Sequence, residues 1–225
     1  MVCNCLEGYP VAAHFNRLGY NVFVLNYRIG GKQLFPKPME DLAQALKFIF
    51  SNKEQFGLLT DRYALGGFSA GGNLICIWGT EQNGYAHYNL PAPVVMFPIY
   101  PAINNAMINE NISGDPLMKK IQEMASKKYL KTMFGKNPDP SFMDSFNVDS
   151  SINERFPKCF IAANKDDEQI SFQHSVRLKQ LLDQFQIPAE LMLGQRGGHG
   201  FGDGVGTDCE GWVEAAARFL EKYSQ

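Results

Sequence analysis

Short apolar runs rich in β-branched and aromatic residues alternate along this chain with longer amphipathic segments, and that rhythm restricts its fold more than any other feature. The runs are 22–27 (VFVLNY), 63–68 (YALGGF), 93–99 (PVVMFPI), 158–163 (KCFIAA) and 189–194 (AELMLG). Each has the length and residue types of a buried strand. Between them, 38–50 sets Met39, Leu42, Ala43, Leu46, Ile49 and Phe50 on one helical face behind a proline start. Further helices are predicted from Ala70 to about Thr80, over 171–185 and over 210–223. The last carries Trp212, Val213, Ala216, Phe219, Leu220 and Tyr223 on one stripe. Strands that alternate with helices predict an α/β protein, three layers thick, around a mostly parallel sheet.

With 225 residues, 45% of them hydrophobic, the chain can bury one sizeable core, so 1–225 reads as a single domain. A formal net charge of −2 gives no reason to expect nucleic acid or an anionic membrane as partner. The lysines Lys119, Lys120, Lys127, Lys128 and Lys131 read as the solvated face of one helix. Five cysteines without regular spacing argue against a disulfide framework. Cys3 and Cys5 form a C-x-C pair with no second ligand pair near it, so no metal site is expected, and no other cofactor is implied. No apolar run is long enough to span a membrane, and the start does not read as a signal peptide, which points to a cytoplasmic protein.

The stretch 63–74, YALGGFSAGGNL, holds the densest chemistry. Gly67-Phe68-Ser69-Ala70-Gly71 fits G-x-S-x-G, a weak signal on five letters alone. Its context strengthens it, because Ser69 directly follows a strand and directly precedes a helix. Small residues, including Gly72, allow a tight turn there that lifts the hydroxyl clear of the backbone. The Ala70 amide and the positive end of the helix then face any anion that forms beside it.

A serine hydroxyl needs a base to act as a nucleophile at neutral pH. His14 lies in a predicted helix, His87 in a connection, and His174 in the first turn of helix 171–185, where it is expected to be exposed or capping. His199 stands in GQRGGHGFGDG, just past the last strand, among glycines that let a loop bend an imidazole back over the sheet edge. Neither the dinucleotide fingerprint nor the Walker A pattern fits these glycines. Strand 158–163 ends in ANKDDEQIS, which offers Asp166 and Asp167 as the carboxylate that orients the imidazole. Serine, then aspartate, then histidine is the chain order of α/β-hydrolases.

On these motifs the chain resembles a serine esterase of the α/β-hydrolase superfamily. It is most similar to the bacterial acetyl-esterase/lipase branch, near the hormone-sensitive-lipase-like and dipeptidyl-peptidase-like catalytic domains. EGYPVAAHFNRLGYNVFVLNYR, YALGGFSAGGNL, IAANKDDEQISFQHS, GGHGFG and GWVEAAARFL carry the likeness over nearly the whole chain. The family's D-x-x-V-P pattern selects Asp167, with Ile170 and Ser171 in the Val and Pro places; Asp166 is the alternative acid, or caps the loop. The resemblance also implies that 101–156, which breaks the strand–helix rhythm, is a small cap over the site. Met107, Met118, Met124, Met133 and Met143 fall there and either line an apolar pocket or pack a helix over 116–134.

One departure is large. Relatives carry further strands and a glycine-rich oxyanion loop ahead of the EGYPVAAHF helix, where only MVCNCL stands here. In the family sheet the strand feeding that loop lies between those corresponding to 22–27 and 63–68, so its absence leaves backbone groups unpaired or forces a new pairing. The chain reads as an N-terminally shortened esterase lacking those strands, or as a variant that has rebuilt the hole from other donors. The expected function is hydrolysis of short-chain or acetyl esters, acetylated sugars among them, with a small-molecule ester as partner. A serine peptidase acting on short peptides and a non-catalytic remnant stay open as alternatives. So does a homo-oligomer formed through the open strand edge.

Overall fold

The computed structural model describes residues 4–104 and 116–224. Of the residues discussed above, Cys3, Met107 and the side chains of Met118 and Lys119 lie outside the described residues. The four apolar runs after residue 60 form strands β1 (Ala64–Phe68), β2 (Val95–Ile99), β3 (Lys158–Asn164) and β4 (Ala189–Gly194). They make one parallel sheet in the order β1-β2-β3-β4. The two inner strands have helices on both faces, so nearly every residue in them is buried and the runs read as continuous rather than alternating.

Successive side chains of a strand point to opposite faces, and the core divides accordingly. Met96, Cys159 and Ile161 face α2 (Lys37–Ser51), α3 (Ala70–Trp78) and α6 (Gln173–Gln184), meeting Met39, Leu42, Ile77, Trp78, Leu178 and Leu182. Val95, Phe97, Ile99, Phe160 and Ala162 face α1 (Tyr9–Arg17) and α7 (Trp212–Tyr223), meeting Val11, Phe15, Trp212, Ala216 and Phe219. This is the three-layer α/β arrangement the sequence predicts. A π-helical turn, Asn4–Gly8, leads into α1.

The expectation of a strand at 22–27 is wrong. A strand needs a neighbour, and β1 is the outer strand of the described sheet. The run is held instead by its side chains. Leu25 and Tyr27 pack on the core beneath α2 and α3, and Phe23 meets Phe56 edge to face. Arg28 ties the end of the run to α2 through its backbone N–H and guanidinium, both on Asp41. Val22 and Phe23 remain about two-fifths exposed, at 38% and 44%.

In the interval 101–156, α4 (Pro116–Phe134) and α5 (Pro140–Asp144) are described. Phe134, Phe142 and Phe146 cluster with Phe35, and the Leu34 and Phe35 amides donate to the Thr132 and Met133 carbonyls. Met133 and Met143 pack against this core, whereas Met124 is exposed. Lys120, Lys127, Lys128 and Lys131 are exposed along α4.

Leu182 is fully buried on α6 and Leu59 fully exposed, at 0% and 101%. Leu182→Ala is expected to cost about 2–5 kcal/mol through lost transfer energy and the cavity left behind. Leu59→Ala should stay within about 0.5 kcal/mol. Thermal unfolding of the two variants beside the parent checks the difference, at about 2–4 °C per kcal/mol.

Candidate active site

Ser69 joins β1 to α3 with no residue between them. Its backbone sits at φ 50°, ψ −113°, outside the regions a non-glycine residue favours, at a cost of about 1–3 kcal/mol. Neighbouring contacts hold it there. The Ser69 N–H donates to the Ile99 carbonyl at 3.0 Å, and Ser69 O accepts from the Asn73 N–H at 2.9 Å. The buried Asn73 amide reaches the Ala102 carbonyl. A Cβ on Gly67 would collide with the Gly71 carbonyl, and one on Gly72 would lie 3.1 Å from the Gly67 oxygen. Hydrogen at Gly67 lets helix and strand meet this closely, and at Gly72 a side chain would press its neighbours aside. Phe68 packs toward Tyr100 and Trp212. The Ala70 N–H has no acceptor among the described residues, and α3 directs its positive end to the same place.

Three predicted side chains come together beyond the carboxyl ends of the strands. His199 Nε2 is 2.9 Å from Ser69 Oγ, and His199 Nδ1 is 2.7 Å from Asp167 Oδ2. Asp167 is 3% exposed. Its other oxygen accepts from the Gln169 and Ile170 amides at 2.8 and 2.9 Å, which fixes the carboxylate and satisfies it despite burial. Ser171, in the place of the expected proline, accepts from the Gln173 N–H and so shapes the same turn.

Asp166 points away from the imidazole and binds the loop that carries it, accepting from the Gly197 and Gly198 amides at 3.1 and 2.8 Å. His14 pairs with Glu214 on the far helices, and His87 meets Tyr88 edge to face. The expectation that His174 is exposed or capping is wrong: it is fully buried, and its Nδ1 accepts from the Ile103 N–H at 3.1 Å. Helical periodicity could not place it, because the group it binds lies 71 residues away.

Sequence reasoning missed Tyr100 beside His199, and Glu7 behind it. Tyr100 follows β2 at φ 38°, and its ring centroid lies 4.8 Å from that of the imidazole. Its hydroxyl donates to Glu7 Oε1 at 2.9 Å. No motif marks Tyr100; its position directly after a central strand was the one available signal. The Tyr27 hydroxyl lies 3.8 Å from where a Cβ on Gly71 would stand. Burial and the neighbouring Tyr27 push the Tyr129 hydroxyl on α4 up to about 12.

A BD-FAE family model matches residues 7–182 of the chain, from the turn before α1 to α6. The chain belongs to the BD-FAE family of α/β-hydrolases. Among curated proteins, this BD-FAE chain is 24% identical over 222 residues to endo-1,4-beta-xylanase B of Butyrivibrio fibrisolvens, covering 94% of the chain and 32% of that protein. It is also 24% identical over 209 residues to the acetylxylan esterase of Xylanibacter ruminicola, covering 91% of the chain and 39% of that enzyme. The chain thus spans about a third of the length of these relatives. Among solved structures, an acetyl ester-xyloside bifunctional hydrolase from Caldicellulosiruptor lactoaceticus superposes with a TM-score of 0.74 at 24% identity, over 95% of the chain and 75% of that protein. A carboxylesterase from Lactobacillus plantarum WCFS1 gives 0.74 at 18% identity, over 96% and 79%. These neighbours share the α/β-hydrolase fold.

Among the described residues no helix is long and apolar enough to cross a membrane. None of their histidine, cysteine and acidic side chains group as a metal site would require.

The Gly198 and Gly197 amides hold the Asp166 carboxyl below its ordinary 3.8. A lowered folded-state value means that the tie is at full strength above the ordinary value and fails as pH falls through the lowered one. Amide-exchange protection of Gly197 and Gly198 should therefore be constant near neutrality and fall below about pH 4. Asp166→Ala should remove that protection already at pH 7.

Proposed function

We propose that this chain is a serine carboxylic-ester hydrolase acting on short-chain or acetyl esters through Ser69, His199 and Asp167. The observation that carries the reading is the unbroken series of short contacts: Ser69 Oγ to His199 Nε2 at 2.9 Å, then Nδ1 to Asp167 Oδ2 at 2.7 Å. A nucleophile within reach of a base, itself oriented by a buried carboxylate, is the arrangement acyl transfer needs. The curated relatives include an acetylxylan esterase, which makes acetylated sugars the first substrates to try.

The chemistry follows from the geometry. Asp167 holds the Nδ1–H tautomer, so that Nε2 carries a lone pair toward Ser69. As Oγ attacks the ester carbonyl, its proton passes to Nε2, and the imidazolium is stabilised by the Asp167 charge. The carbonyl oxygen becomes an oxyanion beside the Ala70 N–H and the positive end of α3. Collapse of the tetrahedral adduct breaks the bond to the alkoxy oxygen, which leaves as the alcohol with the proton from Nε2. Water then attacks the acyl-serine with His199 as base, releasing the acid and restoring Ser69.

The test is turnover of p-nitrophenyl acetate by the chain beside its Ser69→Ala and Asp167→Ala variants. Ser69→Ala should abolish turnover, and Asp167→Ala should lower kcat by about 10⁴-fold because the imidazole loses its tautomer. Equal activity of the parent and Ser69→Ala, or a soluble parent with none, would count against the reading. The second outcome favours the alternative of a catalytically impaired chain.

A further inference from the structure

The loop that carries His199 cannot position it by main-chain stiffness. Gly197, Gly198, Gly200 and Gly202 all lie at positive φ, in backbone conformations that glycine enters and leaves easily. The Asp167 contact fixes one point of the imidazole, Nδ1, and leaves the ring able to pivot about that bond. Something must fix the plane of the ring and the height of the loop. On one side Asp166 does this by gripping the Gly197 and Gly198 amides.

Tyr100 occupies the other side. It is 1% exposed, its ring is inclined at 57° to the imidazole, and it meets Phe201 edge to face at 4.6 Å. Its hydroxyl donates to Glu7 Oε1, and the Gly202 backbone lies near it. Gly202 lies so close to the chain before α1 that a Cβ there would strike the Leu6 carbonyl, and its own carbonyl accepts from Trp212 Nε1 at 2.9 Å. Tyr100 also holds a left-handed backbone, unusual for a bulky residue, pinned by its N–H on the Ala162 carbonyl at 2.7 Å. A strained residue fixed at backbone and hydroxyl, with its ring against the candidate base, is arranged to transmit position.

We propose that Tyr100, anchored by Glu7, is a positioning residue that holds the His199 imidazole in line between Ser69 and Asp167. The Glu7 carboxylate orients the hydroxyl, the hydroxyl fixes the ring, and the ring blocks the pivot of the imidazole. Neither residue touches the reacting atoms. The turn before α1 thereby becomes part of the machinery, as the far anchor of the base. The inference rests on the esterase reading for its kinetic test and on geometry alone for its second test.

The kinetic test uses p-nitrophenyl acetate with Tyr100→Phe, Glu7→Ala, Glu7→Gln and the Glu7→Ala/Tyr100→Phe pair. Tyr100→Phe keeps the ring and loses the tie; Glu7→Gln keeps an acceptor oxygen. Tyr100→Phe and Glu7→Ala should each lower kcat by about 10- to 100-fold with KM little changed, as misplacement of a catalytic group does. Glu7→Gln should recover most of that loss, and the double variant should be no slower than the worse single one. An unchanged kcat in Tyr100→Phe, losses that multiply in the pair, or a Glu7→Gln no better than Glu7→Ala would overturn the proposal. A parent inactive alongside Ser69→Ala defeats the esterase reading only. In that case the downfield Nδ1 proton of His199, followed by NMR and assigned with His199→Gln, decides. It should be resolved in the parent and in Glu7→Gln and lost to solvent exchange in Tyr100→Phe and Glu7→Ala; its survival in all four overturns the inference.

Discussion

The turn at Ser69 is the constraint to which the rest of this molecule answers. Strand β1 must end and helix α3 begin on one residue in an unfavourable conformation, and that is tolerable only where the surroundings over-determine it. The Ile99 carbonyl, supplied by the neighbouring strand, holds the Ser69 amide, so the turn depends on the β1–β2 register. Gly67 lets the backbones meet at a distance no side chain would permit, and Gly72 keeps the approach tight. Asn73 then links the first turn of α3 to the chain beyond β2. The strain is set by sheet pairing, and sheet pairing is set by the two buried faces.

The same economy governs the two adjacent carboxylates. Asp166 and Asp167 differ by one position, and at the end of a strand that is enough to send them in opposite directions. Asp167 enters the interior, where two backbone amides satisfy one oxygen and the imidazole the other. Asp166 stays at the surface and spends both oxygens on the amides of the histidine loop. One carboxylate orients the imidazole and the other orients the main chain that bears it. A flexible glycine loop acquires its geometry from these ties rather than from its own torsions.

Where local pattern decides structure, the sequence could be read closely. Helix 38–50 and strand 189–194 declare themselves through periodicity and apolar runs, and both form as α2 and β4. The serine in a glycine-flanked turn, the histidine among glycines and the strand-end aspartates could likewise be singled out, because each needs a local context that letters reveal. What stayed hidden is non-local. The run 22–27 has every local mark of a strand, yet strandhood is a property of pairs, and the described sheet ends at β1. His174 was misjudged for the same reason, since its burial follows from a contact with Ile103. Tyr100 and Glu7 stand 93 positions apart and meet only because β2 ends beside the turn that enters α1.

That meeting gives the open edge of the sheet a particular meaning. Val22 and Phe23 lie partly exposed, in a stretch of chain held by side chains rather than by a ladder. A strand without a full set of neighbours opens more readily than a central one. The stations of the site sit elsewhere. Asp167 follows β3 and the Tyr100 anchor follows β2, each on a strand paired on both sides, and the histidine loop follows β4, which pairs with β3 and lies farthest from β1. Ser69 alone follows β1, and its amide is clamped inward to β2. Base and acid are thus held across the β3–β4 pair, and the nucleophile across the β1–β2 pair. Loss of β1–β2 pairing would move Ser69 and leave His199, Asp167 and Tyr100 in register with one another, so the separation between Oγ and Nε2 is the coordinate most sensitive to whatever covers that edge.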